Sequence, residues 1–254
     1  MIDLSRAIKY PFKGPNALTK TFVGALLYLF WPIFLLSGMV LLGYQIRIIR
    51  DVIHQRDESL PEWDDMGHDF MEGLKVFLGS VLYYLPAIVF GAAGASRIWA
   101  VLNDMLSNLN ITDLVLGGQV KTVERGDIGV ICLLFTLAML WLVVSAPLIM
   151  TALARYAETE EFSAFTNLAR NARDVWEQRS TASMLMLNLF ALGVVTQAVS
   201  AVVSLLGIGC IIGGYLQYIQ FVAVCHLGGQ WGTVLKERRP ARKVIRPIKP
   251  PKRV

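Results

Sequence analysis

The sequence predicts an all-α integral membrane protein: a polytopic helix bundle with about four full transmembrane helices, one broken or re-entrant element, and amphipathic interfacial helices. Three observations predict it. From Ser180 to Leu235 there is no Asp, Glu, Lys or Arg, and Gly207, Gly209, Gly213 and Gly214 cluster in the middle of that stretch. As one helix the stretch would run about 84 Å at ~1.5 Å per residue, against a hydrocarbon core of ~30 Å, so two crossings with a break at the glycines fit better. Three more uncharged stretches, Thr21 to Ile46, Val76 to Ser96 and Ile128 to Ala154, are long enough to enter or cross a bilayer. Apolar residues make up 55% of the 254 and charged ones 17%, a balance that excludes disorder and is foreign to a soluble domain.

The elements follow in order. Residues 1–20 carry Arg6, Lys9, Lys13 and Lys20 with apolar residues between them, which reads as a basic amphipathic lead-in at the membrane surface. Pro32 beside Trp31 interrupts the first apolar segment, about 21–46, and leaves two pieces too short to cross. Ser59-Leu60-Pro61-Glu62 matches a capping box with proline in the first turn, so a cytoplasmic amphipathic helix is expected from there into the segment 76–96. Trp63 reads as an interfacial anchor. The segment 128–154 is followed by a polar stretch, Arg155 to Arg179, with the same layout, and then by the segments 182–206 and 208–230. The whole of 1–235 reads as one membrane domain, and 236–254 as a disordered basic tail punctuated by Pro240, Pro247, Pro250 and Pro251.

Charge sets the orientation. The tail holds nine Lys/Arg against one Glu, so it belongs in the cytoplasm, as does the lead-in. Both termini share that side if 21–46 is a re-entrant hairpin, which leaves four full crossings of the cell (inner) membrane. Leu42-Gly43-Tyr44-Gln45 and Gly213-Gly214-Tyr215-Leu216 echo one another, each after a broken apolar segment, as in an internal duplication.

Several strings resemble one family. They are Ala7-Ile8-Lys9-Tyr10-Pro11-Phe12, Leu42-Gly43-Tyr44 with Arg47 and Arg50-Asp51, Leu60-Pro61-Glu62-Trp63-Asp64-Asp65, and Arg155-Tyr156-Ala157-Glu158-Thr159 followed by Phe162. Together, over roughly residues 5–230, they resemble the bacterial and archaeal membrane family catalogued as domain of unknown function 4013. The resemblance implies a polytopic membrane protein and no activity.

Four groups of residues are candidates for a site. Asp65, His68, Asp69 and Glu72 recur at helical spacing, the donor mix of a cation or metal site, although acids at a helix N-terminus also serve the helix itself. Gln197, Gln217 and Gln220 sit in apolar surroundings, where unpaired amides are costly, so they are expected to bond between helices or to line a solute path. Pro32, Gly207, Gly209, Gly213 and Gly214 mark helix breaks of the kind that hold transporter ligands or let helices meet closely. Lys236, Arg238, Arg239, Arg242 and Lys243 suit anionic lipid headgroups. The tail lacks aromatics for base stacking, which disfavours nucleic acid as a partner.

No charge lies deep in a predicted span, which argues against ion-coupled transport. No cofactor pattern occurs, and no nucleophile accompanies His54, His68 or His226. The first expectation is therefore a non-enzymatic scaffold, assembly or lipid-organising factor, with the bilayer and a membrane protein as the expected partners. The alternatives are a transporter or channel for a neutral or lipidic solute, and a membrane enzyme using the acidic helix.

Overall fold

The computed structural model describes residues 2–30, 35–107, 125–205 and 209–238. Among these every regular element is helical: α1 (Leu4–Lys9), a 3₁₀ turn (Tyr10–Phe12), α2 (Ala17–Phe30), α3 (Leu35–Ile53), α4 (Met66–Ser107), α5 (Arg125–Thr159), α6 (Ser163–Thr166), α7 (Leu168–Glu177), α8 (Arg179–Leu205) and α9 (Gly209–Arg238). Stretches within α4 (Met66–Asp104), α5 (Gly126–Thr159) and α8 (Arg179–Leu205) are long and apolar enough to span a membrane, which makes this a membrane protein. α2 is a shorter apolar helix. Where four full spans were expected, three described helices satisfy both length and apolarity.

Glycines set how closely these helices approach. α3 and α4 run antiparallel, and a Cβ on Gly43 would lie 1.8 Å from the Asp69 carbonyl oxygen, one on Gly73 1.7 Å from that of Met39. The two contacts are reciprocal, four residues apart on each helix, so only glycine lets these backbones meet. α2 packs against α9 with Gly24 under the Tyr218 ring, and α9 lies along α3 with Gly229 on Val52 and Gly232 on Ile53. α5 returns beside α4, fixed by the Trp141 Nε1 hydrogen bond to the Tyr83 carbonyl at 2.8 Å and by Phe135 against Gly94.

The core is concentrated at one end of the bundle. Tyr10, Tyr44, Ile46, Ile48, Ile49, Tyr156, Phe165 and Tyr218 are buried in one cluster, and Trp231 centres a second, its Nε1 donating to Thr151 Oγ1 at 3.0 Å. Towards the other end α5 and α8 leave their apolar sides uncovered: Met139, Val143 and Val144 on α5, and Leu187, Phe190, Val195 and Val202 on α8, are exposed. A soluble bundle would bury such stripes, whereas a bilayer solvates them.

Several expectations are corrected. The helix assigned to Ser59 begins instead at Met66, because Asp65 is the better cap: its Oδ1 accepts the His68 N–H at 3.0 Å. Residues 54–65 form the connecting segment. Gly213 and Gly214 lie inside the continuous α9 rather than at a break, and that helix begins at Gly209. Gly207, Trp31 and Pro32 lie outside the described residues. The echo around the two Gly-Tyr pairs is local, since Gly43 meets the α4 backbone while Gly214 faces the Leu29 side chain. The lead-in is also more than a surface element, for Ile2, Ala7 and Tyr10 are buried. Lys236 and Arg238 belong to the last turns of α9, and Arg239, Arg242 and Lys243 lie outside the described residues.

Candidate functional site: an ion-paired collar beside an apolar groove

The charged segments between the apolar helices close on one another as a collar. Asp57, in the segment after α3, is its hub. Arg6 grips the carboxylate with both arms, Nε to Oδ2 at 3.0 Å and Nη2 to Oδ1 at 2.6 Å. His226 Nε2 meets the same Oδ2 at 3.0 Å, and the Tyr10 ring lies against the imidazole at 4.7 Å between centroids.

The neighbouring bonds fix the proton on that imidazole. The Asp3 amide can only donate, so its 2.6 Å contact identifies the Gln230 oxygen and leaves the Gln230 nitrogen to donate to the Asp3 carbonyl at 2.9 Å. That nitrogen also lies 3.0 Å from His226 Nδ1, which must accept. His226 therefore carries its proton on Nε2 and donates it to Asp57. Burial alone pushes the Asp57 carboxyl up, but the hydrogen bonds from His226 and Arg6 outweigh it and hold the group below the usual carboxylate range.

A second set of pairs joins α2, α3 and α4. Arg47 on α3 reaches Asp69 at 2.9 Å, Asp64 at 3.0 Å and the Glu62 carbonyl at 2.8 Å. Lys20 on α2, itself buried, donates to the Leu60 carbonyl at 2.8 Å and pairs with Glu62 at 2.7 Å. Trp63 fills the space between them. It stacks on Tyr44 with 3.8 Å between centroids and 11° between planes, and its Nε1 donates to the Lys20 carbonyl at 3.0 Å. The expected interfacial anchor is half-buried and also wedges α2 against α3.

On the α5 side Arg50 pairs with Glu160 at 3.1 Å and donates to the Ala157 carbonyl, and Arg155 pairs with Asp174 of α7. Phe165 of α6 enters the core against Tyr156 and sits where a Cβ on Gly79 would be. Tyr83 donates to the Phe165 carbonyl at 2.9 Å.

This geometry disperses the acidic quartet. Asp65 caps α4, Asp69 turns inward to Arg47, and Glu72 accepts from Tyr156 at 2.9 Å and pairs with Lys75 at 2.7 Å. His68 is exposed. Among the described residues no three His, Cys, Asp or Glu side chains converge as a metal site. The glutamines are not gathered either: Gln197 is exposed on α8, Gln217 is half-buried, and Gln220 faces Gly193.

Beside the collar, the ends of α2, α3 and α4 enclose a lateral groove of about 590 Å³. Leu27 and Phe30 of α2, Leu36 and Val40 of α3, and Met66 and Phe70 of α4 line it, with Ser37 and Gly67 adding little polarity. Its volume is within the range of about 300–1,000 Å³ typical of ligand pockets.

Sequence reasoning missed the hub. Asp57 and Arg6 are unremarkable in linear order, but His226 and Gln230 stand one helical turn apart within the charge-free stretch 180–235, and that spacing was a usable signal. The model of a family described as a protein of unknown function (DUF4013) matches residues 26–212. No curated protein and no solved structure matches the chain.

Proposed function

The chain belongs to the DUF4013 family of proteins of unknown function, and from its geometry we propose that it is a non-enzymatic membrane protein that binds and organises lipid through the lateral groove. The observation that carries this reading is the groove itself: apolar on all three walls and bounded by helices whose outer faces are apolar too. A lipid chain entering from the bilayer matches such a lining, whereas a soluble polar substrate would leave its polar groups unpaired. The collar has the character of a frame, because its buried charges are spent on each other.

Four features support a single cytoplasmic face of the cell membrane for the collar and both termini. Asp3 is tied to Gln230 near the end of α9. Lys20 near the start of α2 and Arg47 near the end of α3 both reach the segment 60–69, so α2 and α3 leave the collar and come back to it, in the manner of a re-entrant hairpin. At ~1.5 Å per residue, α2 with its 14 residues extends only about 21 Å, short of a ~30 Å core. The basic tail that follows α9 would then meet the anionic leaflet. Labelling of Lys9→Cys and Lys236→Cys in sealed vesicles is expected from the same face, and labelling from opposite faces overturns this topology.

The lipid reading is tested by purifying the full chain in mild detergent and recording its mass with ligands retained. Wild type and Val143→Trp, whose substitution lies on the exposed side of α5, are expected to carry lipid. Val40→Trp, which fills the groove, is expected to lose it about tenfold. Equal lipid on Val40→Trp, or solute transport by the pure protein in vesicles, overturns the proposal.

A further inference from the structure

The rim of the groove is acidic, and we propose that its occupant is a zwitterionic lipid with a primary ammonium headgroup, selected over anionic lipids of the same chains. The inference rests on the lipid reading above and adds the headgroup.

Two of the lining residues, Met66 and Gly67, form the first turn of α4. The chain arrives at that turn through Glu62, Asp64 and Asp65, all exposed. Lys20 answers Glu62, and Arg47 is shared between Asp64 and the buried Asp69. The four carboxylates thus meet two cations. Asp65 has no ion-pair partner among the described residues, and its Oδ1 lies 3.8 Å from where a Cβ on the groove residue Gly67 would stand. The one rim carboxylate met by no cation among the described residues, answered only by the helix N-terminus that it caps, is therefore at the groove's edge.

A lipid whose chains fill the groove brings its headgroup to this edge. A phosphate carrying a single negative charge with no ammonium meets like charge there. An ammonium on the same phosphate can reach Asp65, donating hydrogen bonds to the carboxylate oxygens that the helix cap leaves open. The headgroup lies outside the hydrocarbon, so screening keeps the discrimination modest. It differs from the basic tail in sign as well as position: the tail suits the anionic leaflet in general, the groove rim one headgroup type.

The test offers the detergent-purified full chain an equimolar mixture of phosphatidylethanolamine and phosphatidylglycerol with identical acyl chains, and counts retained lipid by native mass spectrometry. Wild type is expected to keep the ethanolamine lipid about fivefold over the glycerol lipid. Asp65→Asn retains an N-cap side chain, so α4 stays intact while the preference shrinks towards equality. Equal or reversed retention by wild type, or an unchanged preference in Asp65→Asn, overturns the headgroup assignment and leaves the groove reading standing. Failure of wild type to hold either lipid, equal retention on Val40→Trp, or an apolar peptide found in place of lipid overturns both.

Discussion

Asp57 and His226 stand 169 residues apart in the chain and share a 3.0 Å hydrogen bond in a buried setting, with Arg6 closing on the same carboxylate. Removing the carboxylate leaves the His226 N–H without its acceptor and Arg6 without its counter-charge. Asp57→Ala is expected to cost about 2–3 kcal/mol, less than a fully buried pair because Arg6 is half-exposed. Thermal unfolding in detergent reads the loss, and a melting temperature equal to wild type removes Asp57 from the hub.

The same carboxylate gives the collar a pH dependence of known sign. Its folded-state value lies below that of the unfolded chain, so its contribution is complete above the unfolded carboxylate value of about 4 and is lost as pH falls through the folded value. Asp57→Asn lacks this titration. The gap in melting temperature between wild type and Asp57→Asn is therefore expected to narrow as pH falls below about 4. A gap that widens below that pH contradicts the assignment.

Glycines in the two kinds of setting should respond with opposite sign. Gly43→Ala drives a methyl group into the Asp69 backbone and is expected to destabilise by about 3 kcal/mol or more. Among the described residues a Cβ on Gly213 meets nothing within 4 Å, so Gly213→Ala, inside α9, is expected to be neutral or to gain up to ~1 kcal/mol of helix propensity. Parallel denaturation curves of the two variants decide it, and similar shifts would deny the close α3–α4 approach.

Trp63 separates stacking from hydrogen bonding. Trp63→Phe keeps a ring on Tyr44 and loses the bond to the Lys20 carbonyl, at a cost of about 1 kcal/mol. Trp63→Ala also opens the space between α2 and α3 and is expected to cost about 2–3 kcal/mol. Equal stability of the two variants in a melt would show that the stack contributes nothing.

The membrane character and the positions of the apolar helices were legible in the sequence because hydropathy is a local property, read one segment at a time. The start of α4 was displaced because Ser59 and Asp65 both carry the signature of a cap, and only packing chooses between them: Tyr10 donates to the Ser59 carbonyl while Trp63 is drawn onto Tyr44, which holds the intervening residues out of a helix. The acidic quartet looked like one face because its spacing is helical, yet Asp69 and Glu72 answer partners on two different helices, Arg47 and Tyr156. Beyond the His226/Gln230 spacing the hub was hidden for the same reason, since its members come from α1, the segment after α3, and α9.

The reciprocal pairing of the Gln230 amide with the backbone of Asp3 makes the chain a closed ring in space, joined across 227 residues. A ribosome delivers Arg6 and Asp57 long before His226 and Gln230. The clasp therefore cannot shut until α9 has been made and has entered the bilayer, and a product truncated before α9 leaves Asp3, Tyr10 and Asp57 each lacking a native neighbour.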